Sequence, residues 1–251
     1  MKLEIQKKKV NVKGKVKLYM DIFLFRHFES IKNTQETFSS MNDKEELTGN
    51  GILYGKKVAA DLRKIVELKG LNIKRIYCAN SVRATESAKL VAAEFSKDIE
   101  IVRFDEFLST KSEDVMGKTK EDARKINPLF IQELCLYDAG IFNAYDFHRK
   151  VGKKEKQEYE KKVFQCIEKI INNDEKEDVK IICLHNSSIT AAIINFARKQ
   201  YHYPIDFYGK VIADNGKIFW ISDKKQRLNI YVANCESNLL LKIIEEKAYE
   251  S

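Results

Sequence analysis

The chain has 251 residues, 44% hydrophobic and 33% charged, which is the composition of a globular protein with a sizeable core and not of a disordered or fibrous one. Its formal charge of +8 points towards nucleic acid or a membrane surface, but residues 1–19 hold seven lysines and one acid, leaving 38 basic and 36 acidic residues in the remainder. The body is nearly balanced, so the basic pI carries no information about its substrate. Five cysteines (Cys78, Cys135, Cys166, Cys183, Cys235) are scattered, odd in number and without a CxxC pair. That argues against a disulfide framework or a zinc site and for a reducing cytoplasm. No apolar run is long enough for a membrane span, and no apolar signal core follows the N-terminal lysines.

Residues 1–19 alternate between lysine and apolar residues. They fit either a solvated edge hairpin turning at Gly14 or a disordered basic arm, an extension with no catalytic role. Residues 20–251 read as a single domain. Its first element is Asp21-Ile22-Phe23-Leu24-Phe25, a buried strand running into Arg26-His27. A polar stretch over 31–46 precedes Leu47-Thr48-Gly49-Asn50-Gly51, which opens a helix to Leu68 with Gly70 at its C-terminal cap. Ile52, Ala59, Leu62 and Val66 mark its core-facing stripe.

A second strand is predicted over Ile73–Cys78, a turn at Ala79–Val82, a helix from near Arg83, and a third strand over Ile99–Phe104. Thr119-Lys120-Glu121-Asp122 resembles a capping box for a short helix through Ile126, broken by Pro128. Residues 137–152 form an aromatic-rich loop carrying His148 and Arg149. A charged helix over 155–172 leads to the buried strand Val179–Leu184, which ends in His185. Asn186-Ser187-Ser188 then enters a helix from Ile189 to Lys199. Two late strands, Lys217–Ser222 and Leu228–Ala233, form a hairpin across Asp223-Lys224-Lys225. Strands alternate with helices, so the expected fold is a three-layer α/β/α sandwich with a mainly parallel sheet.

Only four histidines are present, and His27 and His185 end the two most apolar strands. Arg26 sits at a strand end and Arg83 at a helix start. Parallel strands bring all four to one sheet edge. Two guanidiniums and two imidazoles there make a pocket for a dianionic phosphoryl group, with amide donors from the helices that follow Asn80 and Asn186.

These segments together resemble the histidine phosphatase superfamily, the phosphoglycerate mutase-like family. Arg26-His27-Phe28-Glu29-Ser30 with Asn33 matches its Arg-His-Gly-Glu motif and following Asn. Leu47-Thr48-Gly49-Asn50-Gly51 matches its Leu-Thr-Gly segment. Ser81-Val82-Arg83-Ala84 matches its Ser and Arg-Ala segment, and Leu184-His185-Asn186 its Ser-His-Gly segment. Asn234 and Leu239 echo its terminal Asn and Leu. The likeness spans about residues 20–240 in order.

The resemblance implies a phosphomonoesterase without metal or other cofactor. His27 would attack phosphorus to form a phosphohistidine. Arg26, Arg83 and His185 would hold the phosphoryl oxygens, with Asn33 and Asn186 as further binding residues. His27 must then keep one nitrogen unprotonated, so its other nitrogen needs a fixed partner.

Three positions depart from the family pattern. Phe28 and Asn186 replace glycines and are expected to line and narrow the pocket. Thr110 stands where the family places its acidic glutamate, and threonine cannot protonate a leaving alkoxide. Asp105, Glu106, Glu113 and Asp114 lie in the same loop, with Glu106 and Glu113 taken as the candidate acids. The first reading is therefore a phosphatase of a small phosphorylated metabolite. A phosphoglycerate mutase is an alternative, and so is a degenerate phosphate-binding protein with little turnover. Nucleic-acid binding rests on the lysine arm alone and ranks last.

Overall fold

The computed structural model describes residues 11–12, 15–16, 21–35, 37–38, 45–95, 98–108, 115–128, 154–173, 179–201, 214–224 and 227–233. The aromatic loop over 137–152, Asn234, Leu239 and the C-terminal tail lie outside them. So do Thr110, Glu113 and Asp114.

Strands β1 (Asn11–Val12) and β2 (Lys15–Val16) pair antiparallel as a small ladder of their own. The main sheet is built on β3, Asp21–Arg26. Phe23, Leu24 and Phe25 are fully buried, as a continuous apolar run covered on both faces requires. Burying each such side chain contributes about 1.5–3 kcal/mol. The other strands are β4 (Arg75–Ala79), β5 (Glu100–Phe104), β6 (Val179–Leu184), β7 (Ile218–Lys224) and β8 (Arg227–Ala233). Their order across the sheet is β5-β4-β6-β3-β7-β8.

The first four strands of that order run parallel, and β7 and β8 add an antiparallel edge. The late hairpin closes between Lys224 and Arg227, slightly beyond the predicted turn. Helix α1 (Gly49–Leu68) packs on α2 (Val82–Ala93), and α4 (Lys154–Asn172) packs on α5 (Asn186–Tyr201). These helices flank the sheet and give the expected three-layer α/β sandwich. Helix α4 earns its place through Tyr159, Val163, Ile167 and Ile170, an apolar stripe at helical spacing that is buried against the sheet side. The short α3, Lys120–Ile126, starts at the expected cap, where Thr119 Oγ1 accepts from Asp122 N–H at 3.0 Å. Among the described residues, no helix is long and apolar enough to cross a membrane.

Helix α1 determines the shape of the site above it. Thr48 caps it by accepting from Gly51 N–H at 2.9 Å, and Gly70 ends it with φ +61°. Its buried face is Gly51, Gly55, Val58, Ala59, Leu62 and Val66. Ile52, expected in that stripe, is instead 40% exposed. The face turns because the two glycines let the helix approach the chain after β3. A Cβ on Gly51 would lie 2.1 Å from the Glu29 carbonyl oxygen, and one on Gly55 would lie 2.5 Å from Phe28 Cδ2. Helix α5 begins three residues earlier than predicted, at Asn186, because Ile189 N–H already bonds to the His185 carbonyl at 3.0 Å.

This packing makes a paired prediction. A methyl group on Gly51 meets backbone that cannot swing aside, so Gly51→Ala is expected to lower the urea-unfolding free energy by about 1–3 kcal/mol. At Gly49 nothing lies within 4 Å of the added Cβ. Gly49→Ala is expected to be neutral or stabilising by up to about 1 kcal/mol. Equal effects of the two substitutions would contradict the close approach.

Candidate active site

The parallel register places the histidines. Arg26 of β3 pairs with Leu184 of β6, so the next residues, His27 and His185, leave the sheet side by side. His27 N–H bonds to the Leu184 carbonyl at 3.0 Å, and the two rings stand 5.1 Å apart at 65°. Strand β4 ends beside them, and the chain turns into α2 through Ser81, whose Oγ accepts from Ala84 N–H and lies 3.3 Å from His185 Nε2. Arg83 follows as the second residue of the helix. The four residues singled out in the sequence thus share one sheet edge, and His27, Arg83 and His185 are buried there.

Main-chain contacts hold the loops that carry them. Ser87 Oγ donates to the Arg83 carbonyl at 2.6 Å and accepts from Phe28 N–H at 2.9 Å, tying the His27 loop to α2. Ser188 Oγ accepts from His185 N–H and donates to the His185 carbonyl, each at 3.0 Å. Arg26 is gripped from the other side, where Gly216 N–H bonds to its carbonyl at 3.0 Å.

The tautomer of His27 follows from its neighbours. Nδ1 lies 2.8 Å from the Phe28 carbonyl oxygen. A carbonyl only accepts, so Nδ1 carries the proton and Nε2 keeps its lone pair. Asn215 Nδ2 approaches the same Nδ1 at 3.4 Å, but in this tautomer that is donor against donor. The Asn215 amide instead donates to the His27 carbonyl at 3.0 Å and to Asn33 Oδ1 at 3.2 Å.

The electrostatics reinforce neutrality. Burial is the largest cause holding His27 well below the ordinary imidazole value of about 6.5, followed by the charges of His185, Arg83 and Arg26. Arg26 is itself drawn down to about 10, by burial first and by Arg83 second, against a smaller opposing pull from Asp214. At neutral pH the edge therefore presents an uncharged imidazole within the influence of two guanidinium cations that repel each other, a repulsion an anion would relieve.

The remaining candidates fall in different places. Asn33 is exposed, and its Oδ1 accepts from Ser30 N–H and Ser30 Oγ at 3.0 Å each as well as from Asn215. Backbone and amide donors fix that orientation and leave its Nδ2 as the donor. Asn186 is half-buried directly after His185, as the first residue of α5. Glu106 is exposed in the 3₁₀ turn Asp105–Phe107 after β5, near enough to Cys166 of α4 to raise that thiol, which burial chiefly pushes up to about 12. Glu113 lies outside the described residues.

Phe28 corrects an expectation. It does not line the pocket: its ring is fully buried, 5.8 Å from the Phe25 ring and seated over Gly55 and Gly216. Its main chain alone faces His27 and Ser87. Two residues at the site escaped the sequence reading. Asn215 bridges the His27 and Asn33 loops, and the only signal for it was the turn-forming trio Asp214-Asn215-Gly216 before a strand. Glu45 pairs with Arg83, its Oε1 3.6 Å from Nη2. Among the described residues, no group of His, Cys, Asp and Glu side chains is arranged to hold a metal ion.

The chain is similar to known proteins in sequence and in fold. The family model of the histidine phosphatase superfamily (branch 1) matches residues 22–235. A 2,3-bisphosphoglycerate-dependent phosphoglycerate mutase from Thermoplasma acidophilum is 25% identical over 69% of this chain and 74% of its own length. Among solved structures, YhfR of Bacillus stearothermophilus superposes with a TM-score of 0.66 at 17% identity, covering 87% of this chain and 98% of that one. Phosphoserine phosphatase from Entamoeba histolytica, solved with 3-phosphoglyceric acid, gives 0.61 at 18% identity, covering 86% and 98%.

The buried neutral imidazole has a measurable signature. Nitrogen-detected NMR is expected to show the Nδ1–H tautomer of His27 persisting well below pH 6.5. In the unfolded chain His27 binds a proton below about 6.5, whereas in the folded chain it does not. Falling pH therefore favours unfolding, by up to about 1.4 kcal/mol per pH unit from this group, until its depressed folded titration point is reached. A urea-stability profile of His27→Gln should lose that part of the slope. An unchanged slope, with a His27 titration near 6.5, would contradict the buried neutral form.

Proposed function

The chain belongs to the histidine phosphatase superfamily, and on that premise we propose that it hydrolyses a small phosphorylated metabolite through a phosphohistidine on His27, without a metal. The observation that carries this reading is the state of His27. Its Nδ1–H is committed to the Phe28 carbonyl, which leaves Nε2 with its lone pair, and the ring stands beside His185 within the influence of the Arg26 and Arg83 charges. An imidazole that remains neutral next to two fixed cations is a nucleophile with its electrophile's binding site attached.

In this reading Arg26, Arg83 and His185 hold the phosphoryl oxygens and stabilise the charge that spreads over them as the bond to the leaving oxygen lengthens. Nε2 takes the phosphoryl group in line. The Nδ1–H bond to the Phe28 carbonyl supports the positive charge that grows on the ring. Asn33 Nδ2 and the Asn186 side chain are assigned to the rim of the same pocket. Water then attacks phosphorus, the N–P bond breaks, its electron pair returns to His27, and orthophosphate leaves. We assign this chemistry to one unit spanning residues 20–251, with 1–19 as an extension that takes no part.

The substrate class follows the likeness to proteins that handle small phosphate esters, such as the Entamoeba phosphoserine phosphatase. A second reading, a phosphoglycerate mutase, is favoured by the Thermoplasma relative. It uses the same phosphohistidine but returns the group to a second oxygen of the substrate.

Purified protein is expected to hydrolyse para-nitrophenyl phosphate in EDTA, and His27→Ala is expected to lower the rate by more than about 10³-fold. Rapid acid-free quenching with labelled substrate should trap label on His27. Interconversion of 2- and 3-phosphoglycerate at rates above hydrolysis would favour the mutase. Orthophosphate binding with no turnover on a panel of phosphate esters would overturn both enzymatic readings.

A further inference from the structure

The family's acidic residue is replaced by Thr110, so the proton for a leaving alkoxide must come from elsewhere. The described carboxylates near this edge are mostly committed. Glu29 accepts from Thr48 Oγ1 at 2.6 Å, Glu86 from Leu47 N–H at 2.8 Å, and Asp105 from Asn80 Nδ2 at 2.8 Å. Asp214 is turned to solvent and paired with Lys217. Glu106 is exposed on the α4 side of the β5 edge, the strand farthest from β3 among the parallel four.

Glu45 differs from all of these. Its carboxylate touches a guanidinium whose charge is felt at both His27 and Arg26, and the paired side chains are only 17% and 10% exposed. The separation of 3.6 Å is an ion pair longer than a close hydrogen bond. The backbone around Glu45 is not a free loop. Ser30 and Leu47 form an antiparallel bridge, Ile31 N–H bonds to the Glu46 carbonyl at 2.9 Å, and Thr48 N–H bonds to the Glu29 carbonyl at 3.0 Å. Leu47 N–H is fastened to α2 through Glu86. The chain that carries Glu45 is therefore stitched both to the His27 loop and to the helix that carries Arg83.

We propose that Glu45 is the proton donor to the leaving group, a role that rests on the phosphohistidine reading above. In this role a phosphoryl group bound by Arg83 lies beside the Glu45 carboxyl, which enters the reaction in its acid form. As His27 Nε2 forms its bond to phosphorus, the bond from phosphorus to the ester oxygen breaks. Its electron pair stays with that oxygen, which takes the Glu45 proton and departs as an alcohol. In the second half, the Glu45 carboxylate takes a proton from the attacking water as the new O–P bond forms. The N–P bond breaks, its electron pair returns to His27, and orthophosphate is released with Glu45 again protonated. The same contact makes Glu45 a competitor for Arg83 in the empty pocket.

The test compares two leaving groups. para-Nitrophenolate departs without a proton, whereas the alkoxide of glycerol phosphate needs one. In Glu45→Gln the alkyl-to-aryl ratio of kcat/KM is expected to fall about 10²-fold or more. Inhibition by orthophosphate is expected to tighten, because the competing carboxylate is gone. Glu45→Asp, which retains an acid, is expected to restore much of the ratio, and it keeps the test decisive if the glutamine variant folds poorly. Equal losses on both esters would mark Glu45 as structural and overturn the assignment. So would a ratio that falls in Glu106→Gln and stays level in Glu45→Gln. A wild-type chain inert towards both esters would overturn the phosphohistidine reading, and the proton-donor role with it; a fully active wild type with an unmoved ratio in Glu45→Gln sinks the donor role alone.

Discussion

The parallel pairing of β3 with β6 is the constraint on which the site depends. With Arg26 opposite Leu184, the two histidines emerge as neighbours at 5.1 Å. A slip of one residue would turn each side chain to the opposite face of the sheet. Both strands are buried along most of their length, so a slip would carry every close-packed side chain, the buried Lys180 included, into the wrong layer. The energy that sets the geometry of this edge is thus mostly hydrophobic, and it comes from burial several residues away from the histidines.

The second constraint is electrostatic, and it opposes the first. Packing brings Arg26, Arg83, His27 and His185 into a poorly hydrated edge where like charges repel. The molecule resolves the conflict unevenly. Arg26 keeps its charge though it is drawn down to about 10, Arg83 shares its charge with Glu45, and His27 gives up its proton. The yielding group is the one whose neutral form is a nucleophile. A site that stores repulsion when empty and loses it on binding an anion has affinity for anions without any moving part.

The fold and the heart of the site were legible in the sequence because they depend on local signals. Apolar runs ending in Arg-His and Leu-His, glycine after a helix, and Ser-Val-Arg at a helix start all report on themselves. What could not be read depends on directions and distant approaches. The type of residue 28 was plain, but whether its ring faced the pocket or the core was decided by two glycines at 55 and 216. Ile52 had the right spacing for the core stripe, yet the close seating of Gly51 on Glu29 turned its face outward. Asn215 reaches His27 across 188 residues of chain, and Glu45 reaches Arg83 from a loop with no periodic pattern.

The hydrogen bond from His27 to the Phe28 carbonyl has a consequence for how such a site can vary. Because the partner is main chain, replacing the side chain at position 28 does not delete it. What position 28 must satisfy is volume, and here the volume is shared with Gly55 and Gly216. Positions 28 and 55 therefore vary as a pair: a ring at 28 fits only while 55 stays bare, and a methyl group at 55 fits only after 28 has shrunk. Position 216 is fixed on separate grounds, because its φ of +75° and the Tyr54 ring 2.8 Å from an added Cβ call for glycine whatever stands at 28.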